Sequence, residues 1–173
     1  SLKLGPKTAI HLDLLPSNEQ TASLFTRINR TKSAAGARQL KRWILEPLRT
    51  VAEIANRQSA TIEFSNDVRV NDQIQSALAE MYDLERILAR VNTGLASPRD
   101  TAALGRSLAA LSTFATLLTR FQSEIAVSLR ARIRAAEESV RALASEIVRT
   151  QLPEAPLVSR DGGHTFRELT RQD

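Results

Sequence analysis

Apolar residues recur along this chain at intervals of three and four, the period of a helix with one buried face. Leu24, Phe25 and Ile28 predict a short helix over 21–29. Leu40, Trp43, Ile44 and Leu48 predict the next, over 33–46, with Arg38, Lys41, Arg42 and Arg49 mostly off its apolar face. Pro47 ends that helix by turning Glu46 away from helical dihedrals. Thr50-x-x-Glu53 reads as a capping box, and the helix behind it carries Ile54, Ala55, Ile62 and Phe64 as far as Ser65-Asn66-Asp67.

A further helix is predicted over 70–81. Leu84, Ile87, Leu88 and Val91 mark another, closed by Asn92-Thr93-Gly94. Ser97-Pro98-Arg99-Asp100 is a helix start, with Ser97 as N-cap, Pro98 at the first helical position and Asp100 reaching back. Leu104, Leu108, Leu111, Phe114 and Leu118 then form one stripe about four turns long. Over 123–152, Leu129, Ile133, Ala136, Val140, Leu143 and Ile147 recur at spacings of four and three, for about three heptads. That pattern suits a long helix packed on an antiparallel neighbour.

The ends are less regular. Gly5-Pro6 disfavours helix, Leu12 and Leu14 alternate as in a strand or docked segment, and Pro16-Ser17-Asn18 is a break. Pro153 and Pro156 stop the long helix, and Arg160-Asp161-Gly162-Gly163 reads as a turn before a weakly patterned tail. The expected fold class is all-α, a multi-helix core with two long antiparallel helices toward the C-terminus. No repeat period of a helical solenoid is visible.

Composition agrees. Apolar residues make up 42% and aromatics 4%, so the core must be built from aliphatic side chains. There is no Cys, which excludes disulfides and cysteine zinc sites. No signal peptide or uninterrupted apolar run of membrane-spanning length is evident. A chain that opens at Ser1 and closes at Asp173 is expected to be a piece of a longer protein. The net charge of +5 comes mostly from arginine and permits nucleic-acid contact, although the arginines are spread as on a solvated helical surface.

Candidate chemistry is sparse. No G-x-x-x-x-G-K-[ST] loop exists to cradle phosphate. His11 and His164 are the only histidines, 153 positions apart in sequence numbering. Glu137 and Glu138 point about 100° apart on a helix and make no acid–base pair. Asp83 and Glu85 bracket a helix start, where carboxylates meet the helix dipole. Trp43, on an apolar helix face, is expected in the core. The best candidates for contact with nucleic-acid phosphate are Arg130, Arg134 and Arg141, which share one face of the long helix.

Several motifs have a familiar order. They are Ser23-Leu24-Phe25, Ile28-Asn29-Arg30-Thr31, Gly36, Arg38-Gln39-Leu40-Lys41-Arg42-Trp43, Pro47-Leu48 and Ile54-Ala55-Asn56-Arg57. A second block holds Asp83-Leu84-Glu85-Arg86 through Val91, then Ser97-Pro98-Arg99-Asp100 with Leu104. A third runs from Pro156 to Gly163, and Thr8 with Leu12-Asp13-Leu14 leads in. Together they resemble the helical core, or lever, domain (domain III) of the DNA mismatch-repair MutS family. The signature residues are Gly36, Arg38, Leu40, Trp43, Pro47, Asp83, Arg86, Pro98 and Asp100. Departures are Asn29 for the usual Asp, Phe25 for an aliphatic, Ala35 where Met is frequent, and His164-Thr165-Phe166 where the family continues through Gly-Tyr.

The resemblance implies three parts: a lead-in from a connector region at 1–20, the core domain at 21–163, and a tail at 164–173 toward a clamp. It implies a non-catalytic piece of an ATPase, carrying conformational change between DNA-binding parts and the ATPase domain. ATP and Mg would bind elsewhere in the parent, as would the Phe-x-Glu mismatch reader. Implied partners are double-stranded DNA through the parent, other domains of the same protein, and a second subunit in a homo- or heterodimer, with no membrane. The implied location is cytoplasmic or nucleoid-associated. The other reading is a basic helical module that binds DNA backbone or a protein partner by itself.

Overall fold

A computed structural model describes residues 3–18 and 21–150; every described regular element is helical. The expected stop at Pro153, the turn at 160–163 and the tail lie outside the described residues.

The lead-in differs from expectation. Pro6–His11 is a helix (α1), with Gly5 extended as its N-cap and Pro6 in its first turn. Proline is favoured there, because the missing N–H would be unpaired in any case and the ring presets a helical φ. The segment behind it is docked, as Leu24 N–H donates to Asp13 O at 2.7 Å and Phe25 N–H to Leu14 O at 3.1 Å.

Leu24–Ile28 (α2) begins with a Ser23–Thr26 capping box. Ala34–Leu45 (α3) is capped by Ser33 and ends at Glu46, as Pro47 requires. Val51–Asn66 (α4) starts at Thr50, whose hydroxyl accepts the Glu53 N–H at 3.4 Å; the Glu53 carboxylate returns to that hydroxyl. Asp67 closes α4 and caps Val68–Glu80 (α5). Leu84–Asn92 (α6) is capped by Asp83 and followed by Gly94 at φ +71°, a left-handed conformation that suits glycine.

The stripe from Leu104 to Leu118 is one apolar run with an interruption. Pro98–Ala109 (α7) and Leu111–Leu117 (α8) meet at Ala110, and Leu118–Arg120 is a turn of 3₁₀ helix. Within Pro98–Arg120 an 18-residue window reaches a mean hydropathy of 1.2, enough by length and composition for a membrane span, yet 44% of that window is buried inside the fold. Glu124–Thr150 (α9) is 27 residues long. It runs antiparallel to α7 and α8, since Arg130 meets Leu118 while Ile147 meets Gly105.

Two small cores sit at opposite ends of this pair. Val70 and Ile74 of α5 join Phe114, Leu118, Phe121 and Ala126 at one end; Ile87 of α6 joins Ala103, Leu104 and Ile147 at the other. The link between α5 and α6 is pinned to α7 by the Tyr82 N–H, which donates to the buried Ser107 hydroxyl at 3.2 Å.

The inward seam of α9 is rotated from the expected one. Ile133, Val140 and Ile147 face inward, but Leu129, Ala136 and Leu143 are exposed and Ala126, Arg130, Glu137 and Ala144 take their places. The reason lies on α7, whose buried face is Ala102, Ala103, Leu104, Gly105 and Ser107. Small residues draw the α7 and α9 axes close, so Ala144 fits the seam there where leucine would not, while Ala126 packs at the other end against Phe114, Leu118 and Phe121. The aliphatic stems of Arg130 and Glu137 cover the remainder while their heads reach out.

Candidate functional site

Two signature residues far apart in sequence, Arg38 and Asp83, meet in the fold. Arg38 on α3 grips Asp83 at the start of α6 with both guanidinium nitrogens, at 2.8 Å each, and one of them also lies 2.8 Å from Glu85. Asp83 at the same time caps α6, accepting the Arg86 N–H at 3.3 Å. The Arg38 guanidinium therefore holds the Asp83 carboxyl below the usual carboxylate range.

Trp43 is not a core residue. It is 43% exposed and carries the Arg57 guanidinium 4.0 Å above its ring. No residue of α3 is fully buried; Leu40 and Pro47 are half-buried. The tryptophan joins α3 to α4 across a shallow groove, and cation–π attraction does the joining. Gly36 donates its N–H to the Ser33 hydroxyl at 3.2 Å in the first turn of α3.

Ser97 and Asp100 form the expected reciprocal cap after which Pro98 opens α7. Asp100 accepts the Ser97 N–H at 2.8 Å, which keeps its carboxyl low, and Arg90 of α6 stands 3.4 Å away. Arg90 also donates to Leu95 O at 3.2 and 3.3 Å, closing the α6–α7 link on itself.

A further junction was absent from the sequence reading. The Glu63 carboxylate of α4 accepts the N–H groups of Gln122 and, at 2.9 Å, Ser123, so α4 holds the start of α9. The Gln122 N–H is the main cause of the lowered Glu63 pKa. Beside it Asn56 donates to Glu124 at 2.9 Å, and Phe64 stacks on Phe121 with centroids 4.1 Å apart. One sequence signal was available: Ser123 occupies an N-cap position, yet Ala126, three residues on, cannot complete a capping box.

At the other end, a Cβ built on Gly105 would lie 2.4 Å from Ile147 Cγ2. Backbone and side chain are thus in direct contact between α7 and α9.

The three arginines of α9 lie within about 40° of one another around the helix, but their surroundings differ. Arg130 is half-buried and donates to Leu118 O at 3.4 Å, Arg141 pairs with Glu138 at 2.7 Å, and Arg134 is exposed.

Chemically this is a set of joints. Asp83, Asp100 and Glu63 are all held ionised by donors, the opposite of a carboxyl poised to exchange protons near neutrality. Among the described residues no three His, Cys, Asp or Glu side chains converge as a metal site.

Residues 7–169 match the family model described as MutS domain III. A protein named DNA mismatch repair protein MutS from Thermosipho melanesiensis is 44% identical over 105 residues, covering 61% of this chain and 13% of that protein. Namesakes from Chlorobium phaeovibrioides and Chlorobaculum parvum are 34% and 32% identical, covering 94% and 95% of this chain and 18% and 19% of themselves. The chain therefore spans less than a fifth of the length of these curated relatives.

Proposed function

Because the chain belongs to the DNA mismatch-repair MutS family, we propose that it works there as the non-catalytic core and lever, carrying displacement between the DNA-binding parts of a parent protein and its ATPase. One observation carries this reading: α9 is fastened at both ends to different neighbours, by Glu63 of α4 at its start and by the Gly105–Ile147 contact with α7 near its finish. A helix of 27 residues is roughly 40 Å long. Held at both ends, it turns as a rigid body and delivers a small rotation as a larger displacement.

We assign 1–20 to the lead-in, 21–163 to the core and 164–173 to the approach to the clamp. We assign ATP and Mg to parts of the parent beyond this chain, whose sequence contains no G-x-x-x-x-G-K-[ST] motif. The partners are double-stranded DNA, the other domains and a second subunit, and the setting is cytoplasmic or nucleoid-associated. The test is to insert two glycines after Arg134 in the parent. DNA binding and basal ATP hydrolysis should each persist while DNA loses its effect on hydrolysis. Retained coupling would overturn the proposal.

The alternative is direct contact with DNA backbone by Arg130, Arg134 and Arg141, supported by the exposure of Arg134 and the charge of +5. The chain alone would then bind duplex DNA with affinity falling on the order of tenfold or more between 50 and 200 mM salt. Binding that is absent, or unaffected by R134A, removes this reading.

A further inference from the structure

The cations of this chain are spread along it, but the carboxylates that could answer them are not. Residues 1–50 hold nine Lys and Arg against three Asp and Glu, a net +6, in a chain whose total is +5. The remainder is close to neutral, and several of its arginines are paired: Arg90 with Asp100, Arg120 with Asp67, Arg141 with Glu138 and Arg149 with Glu146. In the first fifty residues Glu46 takes Lys3, and Arg38 is taken by Asp83 and Glu85. Arg30, Lys32, Lys41 and Arg42 are exposed and, among the described residues, pair with no carboxylate.

Helix α3 brings these four together. Lys41 and Arg42 stand on either side of Arg38, within about 100° of arc and about 12 Å along the axis from the first residue, Ala34. Arg30 and Lys32 lie in the link that enters that helix. A Cβ built on Gly36 would lie 3.3 Å from Thr31 Cβ, so the link is docked against the first turn of α3. Lys41 reaches over the Phe25 ring, 4.8 Å from its centroid, and fixes α3 to α2. No acidic residue sits in the first turn of α3 to offset the charge.

We propose that this surface docks the phosphate backbone of duplex DNA, separately from the α9 arginines. A 12 Å length of duplex carries about seven negative charges, at one per ~1.7 Å of axis. The residues between the cations favour DNA over an acidic protein. The other exposed residues of α3 are Ala34, Ala35, Gln39 and Trp43, and Trp43 is turned toward α4 beneath Arg57. Protein interfaces centre on apolar and aromatic anchors and are depleted in lysine. Nucleic-acid interfaces are polar and strongly positive. The inference rests on duplex DNA being a partner of the parent, as proposed above, and adds where this chain meets it.

Fluorescence anisotropy of the full 173-residue chain with a labelled duplex of mixed sequence tests it, over a range of salt concentrations. Four phosphate contacts predict a slope of about −3.6 in log affinity against log salt, a loss of roughly 100-fold between 50 and 200 mM. K41Q/R42Q and R30Q/K32Q should each reduce that slope by about half, leaving a loss of roughly tenfold. R134A should leave it unchanged. Far-UV circular dichroism reports that each variant is folded, and the two pairs lie on different segments, so either one carries the test. The proposal fails if the chain does not bind, if a folded pair variant keeps the native slope, or if R134A alone removes binding. It also fails if poly-glutamate at equal charge displaces the chain as well as unlabelled duplex does, which would assign the surface to an acidic protein. The lever reading is decided separately, by the coupling of DNA to hydrolysis in the parent.

Discussion

Gly105→Ala sets two known effects against each other, and the structure decides the winner. Alanine is a better helix former than glycine by about 1 kcal/mol, so an exposed site in mid-helix would gain stability. At position 105 the added methyl would stand 2.4 Å from Ile147 Cγ2 and 3.0 Å from Ile147 Cβ. Ordinary carbon–carbon contact is about 3.5–4.0 Å. Ile147 cannot swing aside, because a β-branched side chain in a helix has one strongly preferred rotamer and its Cβ is itself in the way. The axes of α7 and α9 must therefore separate by about 1 Å, loosening the small core of Ile87, Ala103, Leu104 and Ile147. Overpacking of this kind costs about 1–3 kcal/mol. Taking its upper half and subtracting the helix gain leaves a net loss of about 1–2 kcal/mol. For a chain of this size that lowers Tm by about 2–8 °C, read by circular dichroism at 222 nm. I147A removes the offending methyl, so G105A should cost less in that background than in the native one. A G105A chain that melts at or above the native temperature would refute the close approach of the two helices.

D83A should cost about 1–2 kcal/mol in urea denaturation, since it removes a helix cap and an ion pair together; R38A, which removes only a solvent-screened pair, should cost clearly less, and equal costs would separate Asp83 from its capping role. The folded chain should weaken on acidification: Asp83, Asp100 and Glu63 have lowered folded pKa values, so the unfolded state binds more protons and stability is lost as pH falls through the ordinary carboxylate range near 4 and below. Urea midpoints from pH 7 to 3 would show it, and the slope should flatten in D83N/E63Q. Trp43 is the single tryptophan, so its fluorescence reports one site: acrylamide should quench it readily in the folded chain, and an unquenchable, blue-shifted emission would return it to the core.

Local chemistry was legible from the sequence wherever its causes are local. The caps at Thr50 and Ser97, the stop before Pro47 and the turn at Gly94 involve partners within a few residues, and all stand where the spacing put them. So does the all-α class, because helical periodicity is written along each segment. The motif pattern was equally legible as family membership. Hydrophobicity alone did not say which of two adjacent faces turns inward. Leu129 and Leu143 are greasier than Arg130 and Ala144, yet the latter pair lie in the seam, because only the partner helix sets how closely α9 approaches. Trp43 was misplaced for the same reason: its apolar face found a guanidinium rather than a core. The joints that hold the helices as one body, Arg38 to Asp83 and Glu63 to Ser123, lie 45 and 60 positions apart. Residue type and spacing determined what each segment would become; only the folded chain decided which segments are fastened to which, because that depends on distances between helices that no local pattern encodes.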